Sequence, residues 1–267
     1  MLVPHPASLL EGRFRARFDR FIAEIDLGER IVDAHCVNPG KMEGLIVPGS
    51  RVWLSEAAPE SKRKLRYTLE LMEVDGVMVG ANTNAPNRIA YALIASRCLP
   101  GFKRYRALER EVRYGEKSRI DLRLDLGSCH HYIEVKNCHL VYSDRCAYFP
   151  DSVSARAAGH LEELARQRKL GDKASVLFVV QRVDAERIRP SDLHDPAFAL
   201  AAREAAGAGV NFRAVVVEPS IEGYRLVGEI LVDLRAYPVE KLEAERDANT
   251  PRSGWTRRGG KLKNARA

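Results

Sequence analysis

The sequence has none of the features that mark membrane-spanning or secreted proteins. No apolar run approaches the ~20 residues that a bilayer-spanning helix requires. The first residues, Met1-Leu-Val-Pro-His-Pro6, show neither the basic start nor the apolar stretch of a secretory signal. We find no internal repeat of the kind that predicts a solenoid. We therefore expect a cytoplasmic globular protein.

Cysteine is scarce, and its positions are typical of neither a disulfide scaffold nor a zinc site. The five cysteines are an odd number and include no Cys-x-x-Cys pair. The run Cys129-His130-His131 is the most suggestive of a metal site. Adjacent strand residues point to opposite faces, so this run cannot converge on one ion. We interpret these residues as small thiols and partly exposed histidines.

Acidic residues are outnumbered by basic ones. The chain of 267 residues has 43 Lys and Arg against 36 Asp and Glu, a net charge of +7. A basic chain attracts polyanions, of which nucleic acids are the commonest. The last twenty residues, 248–267, contain six basic residues and no acid. We expect a disordered basic tail over 236–267, which either follows phosphates or only improves solubility.

The pattern of short apolar segments predicts two domains. Residues 1–82 read as short strands separated by turns, among them the hairpin pair Asp75-Gly76, and predict a small barrel. Residues 83–107 form a linker with a helix near 89–99. Residues 108–235 alternate strands with helices near 154–170 and 196–208 and predict an α/β (α+β) domain.

One hairpin of the second domain carries a candidate for chemistry. The segments Ser118–Leu126 and Cys129–Lys136 flank Gly127-Ser128, a pair suited to a two-residue loop. That loop places Asp121 directly opposite Glu134, and Lys136 points to the same face. Two neighbouring carboxylates favour a bound Mg²⁺ or Mn²⁺, and a lysine beside them suits phosphodiester hydrolysis. The alternative is an ordinary solvated hairpin face, although opposed acids are mildly unfavourable there.

Other polar residues are candidates for the same site. Glu111 precedes the hairpin and could add a carboxylate, while Arg156 and His160 share one face of the predicted helix and could hold a phosphate. Gln181 ends a buried strand that could reach the site. For Glu111, Arg156 and His160 the alternative is an ordinary polar surface residue.

The chain resembles the sugar fermentation stimulation protein A family over residues 1–235. Many short segments, each weak alone, occur in the order typical of that family. They are His35-Cys-Val-Asn-Pro-Gly-Lys-Met42, Gly44-Leu45, Pro48-Gly49, Lys64-Leu-Arg-Tyr-Thr68, Asn82-Thr83, Pro86-Asn87, Arg110-Glu-Val-Arg-Tyr-Gly115, Ser118-Arg-Ile-Asp121, Glu134-Val-Lys-Asn137, Phe149-Pro-Asp151, Arg156, His160-Leu161 and Asp195-Pro196. The combination is highly specific.

The resemblance implies an N-terminal OB-like β-barrel and a C-terminal domain like the PD-(D/E)xK nucleases, with DNA binding as the activity. Asp121, Glu134 and Lys136 match the nuclease-like signature. The segment Arg156-Ala-Ala-Gly-His160 departs from the family pattern by losing a glycine and a basic residue, which puts a phosphate contact at position 159 in doubt.

Two functions are therefore expected for a partner that is DNA, or alternatively RNA. The first is a metal-dependent nuclease in which Asp121 and Glu134 bind the ion and Lys136 assists the attacking water. The second is a non-catalytic DNA-binding transcriptional regulator of sugar metabolism. OB-like surfaces bind strands with basic grooves and aromatic side chains. Candidate contacts on the barrel are Arg13, Arg15, Arg17, Lys41 and Tyr67.

Overall fold

The computed structural model describes residues 1–114 and 118–259. Its strands are Leu2–Pro4 (β1), Leu9–Phe18 (β2), Ile22–Asp26 (β3), Ile31–His35 (β4), Arg51–Glu56 (β5), Tyr67–Val74 (β6), Val77–Gly80 (β7), Ala107–Tyr114 (β8), Ser118–Asp125 (β9), His130–Cys138 (β10), Leu140–Val141 (β11), Cys146–Phe149 (β12), Lys173–Val180 (β13), Arg187–Pro190 (β14), Asn211–Pro219 (β15) and Gly223–Val232 (β16). Its helices are Ala85–Ala95 (α1), Ala155–Lys169 (α2), Pro196–Gly207 (α3) and Glu240–Asn249 (α4), followed by a 3₁₀ turn at Thr250–Arg252.

The N-terminal strands form the predicted barrel. They pair in the order β4-β3-β2-β5-β6-β7, and a further pairing of β4 with β6 closes the sheet on itself. The hairpin predicted at Asp75-Gly76 joins β6 to β7, with Val74 opposite Val77. Large apolar side chains such as Phe14 and Leu54 fill the interior. Closure leaves β6 covered along almost its whole length.

The C-terminal strands form one mixed sheet between helices. Their order is β11-β12-β14-β16-β15-β13-β10-β9-β8, and β1 from the N-terminus pairs with β16. On one face, α2 and α3 pack over the apolar side chains of β13 and β15. On the other face, α1 packs over the opposite side chains of the same strands and meets Trp53 and Leu71 of the barrel. The α1 layer therefore joins the two domains.

The helix boundaries follow local capping chemistry. Ser154 caps α2 by accepting a hydrogen bond from the amide of Ala157, so this helix matches its prediction. Helix α1 begins earlier than predicted, at Ala85, because Pro86 fits the first turn, where its missing N–H costs nothing. Over the described residues, no helix combines the length and apolar character needed to cross a membrane.

The prediction of a disordered tail from residue 236 is wrong for α4 and the segment after it. Leu242 of α4 is buried against Tyr142 and Tyr148 of the α/β domain. The chain then returns to the barrel, where Thr256 exchanges backbone hydrogen bonds with Arg17 and Asp19. A few apolar contacts order this segment, although its composition is polar and basic. Residues 260–267 lie outside the described part of the chain.

Candidate active site

The central hairpin has the predicted loop and register. Strands β9 and β10 pair Asp125 with His130 through to Leu122 with Ile133. The amide of Leu126 donates to the carbonyl of Cys129 at 3.0 Å, which closes a two-residue loop at Gly127-Ser128. The pairs end one residue before Asp121. There the Asp121 Oδ2 atom accepts a hydrogen bond from the amide of Val135 at 2.7 Å, so this carboxylate continues the ladder.

Glu134 is the centre of a buried polar cluster. Its side chain is only 3% exposed, and Lys136 is 8% exposed. The Lys136 ammonium donates to Glu134 Oε1 at 2.7 Å. Helix α2 brings His160 against the same oxygen through its Nδ1 atom. At the open side of the cluster, the exposed Arg156 lies with its Nε atom 3.4 Å from Nε2 of His160.

The pKa values of the Glu134 and Asp121 carboxyls shift in opposite directions in this cluster. Burial works against the charge of Glu134, but its hydrogen bonds with His160 and Lys136 outweigh burial and hold its pKa below the usual value. Burial and the neighbouring charge of Glu134 raise the pKa of Asp121 to about 6. The two negative charges therefore work against each other, and a cation between them would relieve this repulsion.

The structure adds residues to the site that sequence reasoning missed. Asn87 of α1 donates its side-chain amide to Asp121 Oδ1 at 2.7 Å, which fixes that carboxylate from the opposite side of the sheet. Tyr114 ends β8, and within residues 1–114 and 118–259 its buried hydroxyl has no hydrogen-bond partner. Burial, followed by the charge of Glu134, raises the pKa of this tyrosine. Both residues occur in the family-like segments, which is the only sequence signal that could have selected them.

Two of the additional candidates lie differently from expectation. Strands β8 and β9 pair on either side of Glu111 and Asp121, but these two residues are not themselves paired. Its backbone is left-handed with φ 51° and its side chain is exposed, and within the described residues it makes no bond to the cluster. Gln181 is fully buried, its side chain donates to Asn137, and its backbone carbonyl accepts from Gly80 of the barrel. Gln181 therefore stabilises the contact between the domains.

The barrel candidates divide into buried and exposed residues. Arg17 is 2% exposed, and its guanidinium donates to the carbonyls of Arg20, Asn38 and Gly40. Tyr67 is also buried, with its hydroxyl bonded to Arg30. Neither side chain is free to contact a nucleic acid, so both predictions are corrected.

The other three candidates, Arg13, Arg15 and Lys41, are exposed. Arg15 forms an ion pair with Glu24 at 3.3 Å, whereas Arg13 donates only to the carbonyl of Gly49. Their use as phosphate contacts stays a prediction.

Comparison with known proteins identifies the family. The family model described as "SfsA N-terminal OB domain" matches residues 16–81, and the one described as "Sugar fermentation stimulation protein RE domain" matches residues 84–223. A sugar fermentation stimulation protein homolog of Maricaulis maris is 43% identical over 80% of this chain and 92% of its own length. The chain belongs to the sugar fermentation stimulation protein family. The OB domain and the mixed α/β domain predicted from the sequence are thereby confirmed.

This chain is also similar to a second curated relative and to a solved structure. The homolog of Thioalkalivibrio sulfidiphilus is 44% identical over 76% of this chain and 86% of its own length. A solved structure, described as Pyrococcus furiosus SfsA in complex with Ca²⁺, matches with a TM-score of 0.79 and 27% identity over 87% of this chain and 98% of that one. Helix α4 and the segment that returns to the barrel lie beyond both family models.

Proposed function

We propose that this protein binds DNA and hydrolyses its phosphodiester bonds with a divalent metal ion, Mg²⁺ or Mn²⁺, held by Asp121 and Glu134. The observation that carries the proposal is the cluster of Glu134, Lys136 and His160 on the α2 side of the sheet, with the Asp121 carboxylate bonded to the neighbouring amide of Val135, in a chain with an OB domain. The arrangement Asp121…Glu134-Val-Lys136 is that of a PD-(D/E)xK nuclease. Purified protein and labelled DNA with and without metal provide the test.

The donor set fits a hard divalent cation. Glu134 Oε2 is buried and accepts no hydrogen bond from any residue that the structure describes, so this oxygen is available for an ion. Among the described residues, no three His, Cys, Asp or Glu side chains converge as a complete ligand set. That suits Mg²⁺, which is commonly held by one or two carboxylates and keeps several waters. The Ca²⁺ named in the description of the Pyrococcus furiosus relative supports a divalent ion in the same fold.

The residues of the chain divide the chemistry between them. A bound metal ion supplies an activated water and polarises a phosphoryl oxygen. Asn87 and the amide of Val135 hold the Asp121 carboxylate in place from two sides. Lys136, on the same face as Glu134, places a positive charge where negative charge develops on the phosphoryl group. Arg156, exposed beside His160, is placed to contact a neighbouring phosphate.

One feature favours a second candidate, a non-catalytic DNA-binding regulator of sugar metabolism. Lys136 and His160 both engage Glu134 Oε1, so the charge of this acid is balanced inside the protein without a metal. A protein that uses the cluster only for folding would bind DNA and cut nothing. The two candidates differ in a single measurable property, metal-dependent cleavage.

Binding of metal is expected to depend on Asp121. Replacing Asp121 by asparagine keeps the shape of the side chain but removes one of two negative charges, so affinity for Mg²⁺ or Mn²⁺ should fall about tenfold or more. Calorimetric titration of both proteins measures the change. Asp125→Asn on the same strand is the matched control, since Asp125 only accepts a hydrogen bond from Gly127 in the hairpin loop. Equal affinities in wild type and Asp121→Asn would contradict this assignment.

DNA affinity is expected to fall steeply with salt and to vary little with sequence. Exposed basic side chains such as Arg13 and Lys41 contact phosphates and displace counterions when they bind. If about six phosphates are contacted, affinity should drop on the order of 10³-fold between about 50 and 200 mM salt. Fluorescence anisotropy with two unrelated duplexes and their single strands measures both properties. A salt-independent affinity would show that phosphate contacts do not drive binding.

A further inference from the structure

A cavity of ≈ 250 Å³ opens beside Lys136, where the barrel meets the α/β domain. The barrel contributes the loop 38–40, and Thr83 lies between the two domains. The α/β domain contributes the end of β10 and the segment 148–154. Lys136 lines this cavity and also bonds Glu134, so the cavity borders the proposed catalytic cluster.

Direct contacts between the domains hold the two walls in place. Asp151 Oδ2 accepts a hydrogen bond from the amide of Met42 at 3.1 Å. Gly40 lies so close that an added Cβ would stand 2.5 Å from Asp151 Oδ1, and only glycine fits there. Glu43 of the barrel accepts hydrogen bonds from Tyr142 and contacts His194 at 2.8 Å. The cavity is therefore a preformed feature of the folded chain.

The lining has the chemistry of a site for a neutral, polar, flat group. Asn38, Asn137 and Ser152 line the cavity with amides and a hydroxyl that also bond Gly40, Gln181 and Asp151, and Pro39 and Phe149 add apolar surface. Lys136 is the one cation in the lining, while the carboxylate of Asp151 would repel a phosphate placed deep inside. His139 is 5% exposed, and its Nε2 atom lies 3.5 Å from Asp151 Oδ2, so these two side chains pair with each other at the wall of the cavity.

We propose that this cavity binds one nucleobase of the nucleic-acid strand whose phosphate lies at Lys136. The inference rests on the proposed function and names the part of the substrate that the site recognises. The volume is below the roughly 300–1,000 Å³ of sites for drug-sized ligands, which suits a single base. Enzymes that take a base out of the stack read its edge with hydrogen bonds and hold its faces with apolar side chains. The cavity has both kinds of surface.

Small ligands test this proposal without any need for cleavage. Wild-type protein is titrated in Mg²⁺ with the four deoxynucleoside 5′-monophosphates, and separately with deoxyribose 5-phosphate, which has the same phosphate and sugar but no base. At least one nucleotide should bind about tenfold more tightly than deoxyribose 5-phosphate, the equivalent of one or two hydrogen bonds at a buried site. Ser152→Phe and Thr83→Phe, which fill the cavity from the two domains, should remove that difference.

The control is Ser61→Phe, in a barrel loop with similar partial exposure but outside the cavity. It should retain the preference for the nucleotide. Equal affinities for the nucleotides and deoxyribose 5-phosphate in the wild type would overturn the proposal, as would a preference that survives in both cavity-filling variants. If the wild type binds nucleotides as expected but cuts no DNA, the base site is supported and the nuclease function is refuted. If it cuts DNA but shows no preference for nucleotides over deoxyribose 5-phosphate, the nuclease function is supported and the base site is refuted.

Discussion

Lys136→Ala and Glu134→Gln are each expected to reduce DNA cleavage by about 10²–10³-fold or more, the usual effect of removing one group that stabilises charge in the transition state. DNA affinity should change by less than about threefold, because affinity is the sum of many phosphate contacts. Glu134→Gln removes a negative charge near the strand, so its binding should tighten slightly if it changes at all. Initial cleavage rates and anisotropy on the same DNA measure the two effects separately.

The controls for these variants change the same residue types outside the cluster. Lys173→Ala lies on the exposed start of β13, and Glu162→Gln lies on the exposed face of α2. Both should cut and bind DNA like the wild type. If Lys136→Ala lost affinity and cleavage in equal proportion, Lys136 would be a binding residue and the proposed division of roles would be incorrect.

Arg17→Ala is expected to destabilise the barrel by about 3 kcal/mol, because it leaves several buried carbonyls without their donor. The guanidinium bonds the carbonyls of Asn38 and Gly40, and it lies 5.5 Å from the ring centroid of Trp255. Both tryptophans, Trp53 and Trp255, contact the barrel, so their fluorescence in a denaturant titration reports its unfolding. Arg13→Ala, at an exposed position of the same strand, should change stability by less than about 0.5 kcal/mol.

The opposite result would support the prediction, made from the sequence, that Arg17 contacts nucleic acid. If Arg17→Ala unfolded like the wild type but lost salt-dependent DNA affinity, its side chain would have to reach the nucleic acid, and the burial seen here would not describe the protein in solution.

The register of the β9–β10 hairpin could be predicted because it depends only on local chemistry. A two-residue loop at Gly127-Ser128 determines which residues face each other, and the period of two then assigns their sides. Helix α2 can likewise be predicted from local sequence, because Ser154 caps its start and Gly171 follows its end. Lys136 and, from α2, His160 bond Glu134, and Asp121 bonds the neighbouring amide of Val135; the role of these residues as a metal site stays a prediction.

The errors arose where distant parts of the chain meet. Arg17 shares the period-two pattern of Arg13 and Arg15, but a register shift between Phe14 and Ala16 turns it inward. Tyr67 is covered because β4 pairs with β6 and closes the barrel, a contact that no local pattern reports. The packing of α4 through Leu242 also depends on a distant contact, so the basic, polar composition of this segment did not indicate it.

The cavity between the domains could not be predicted from the sequence either. Its walls are brought together by contacts such as that of Asp151 with Met42, which are 109 positions apart in the chain. Family-like motifs include both segments, but they give no information about the space between them.

The most direct test of the central claim is to incubate the wild-type protein with end-labelled DNA and RNA in Mg²⁺, in Mn²⁺ and in chelator. We expect shortened DNA products in Mg²⁺ or Mn²⁺, none in chelator, and cleavage reduced by about 10²–10³-fold or more in Glu134→Gln. A wild type that retards DNA in a gel at low salt, yet leaves it intact with both metals, would contradict the nuclease and favour the non-catalytic regulator.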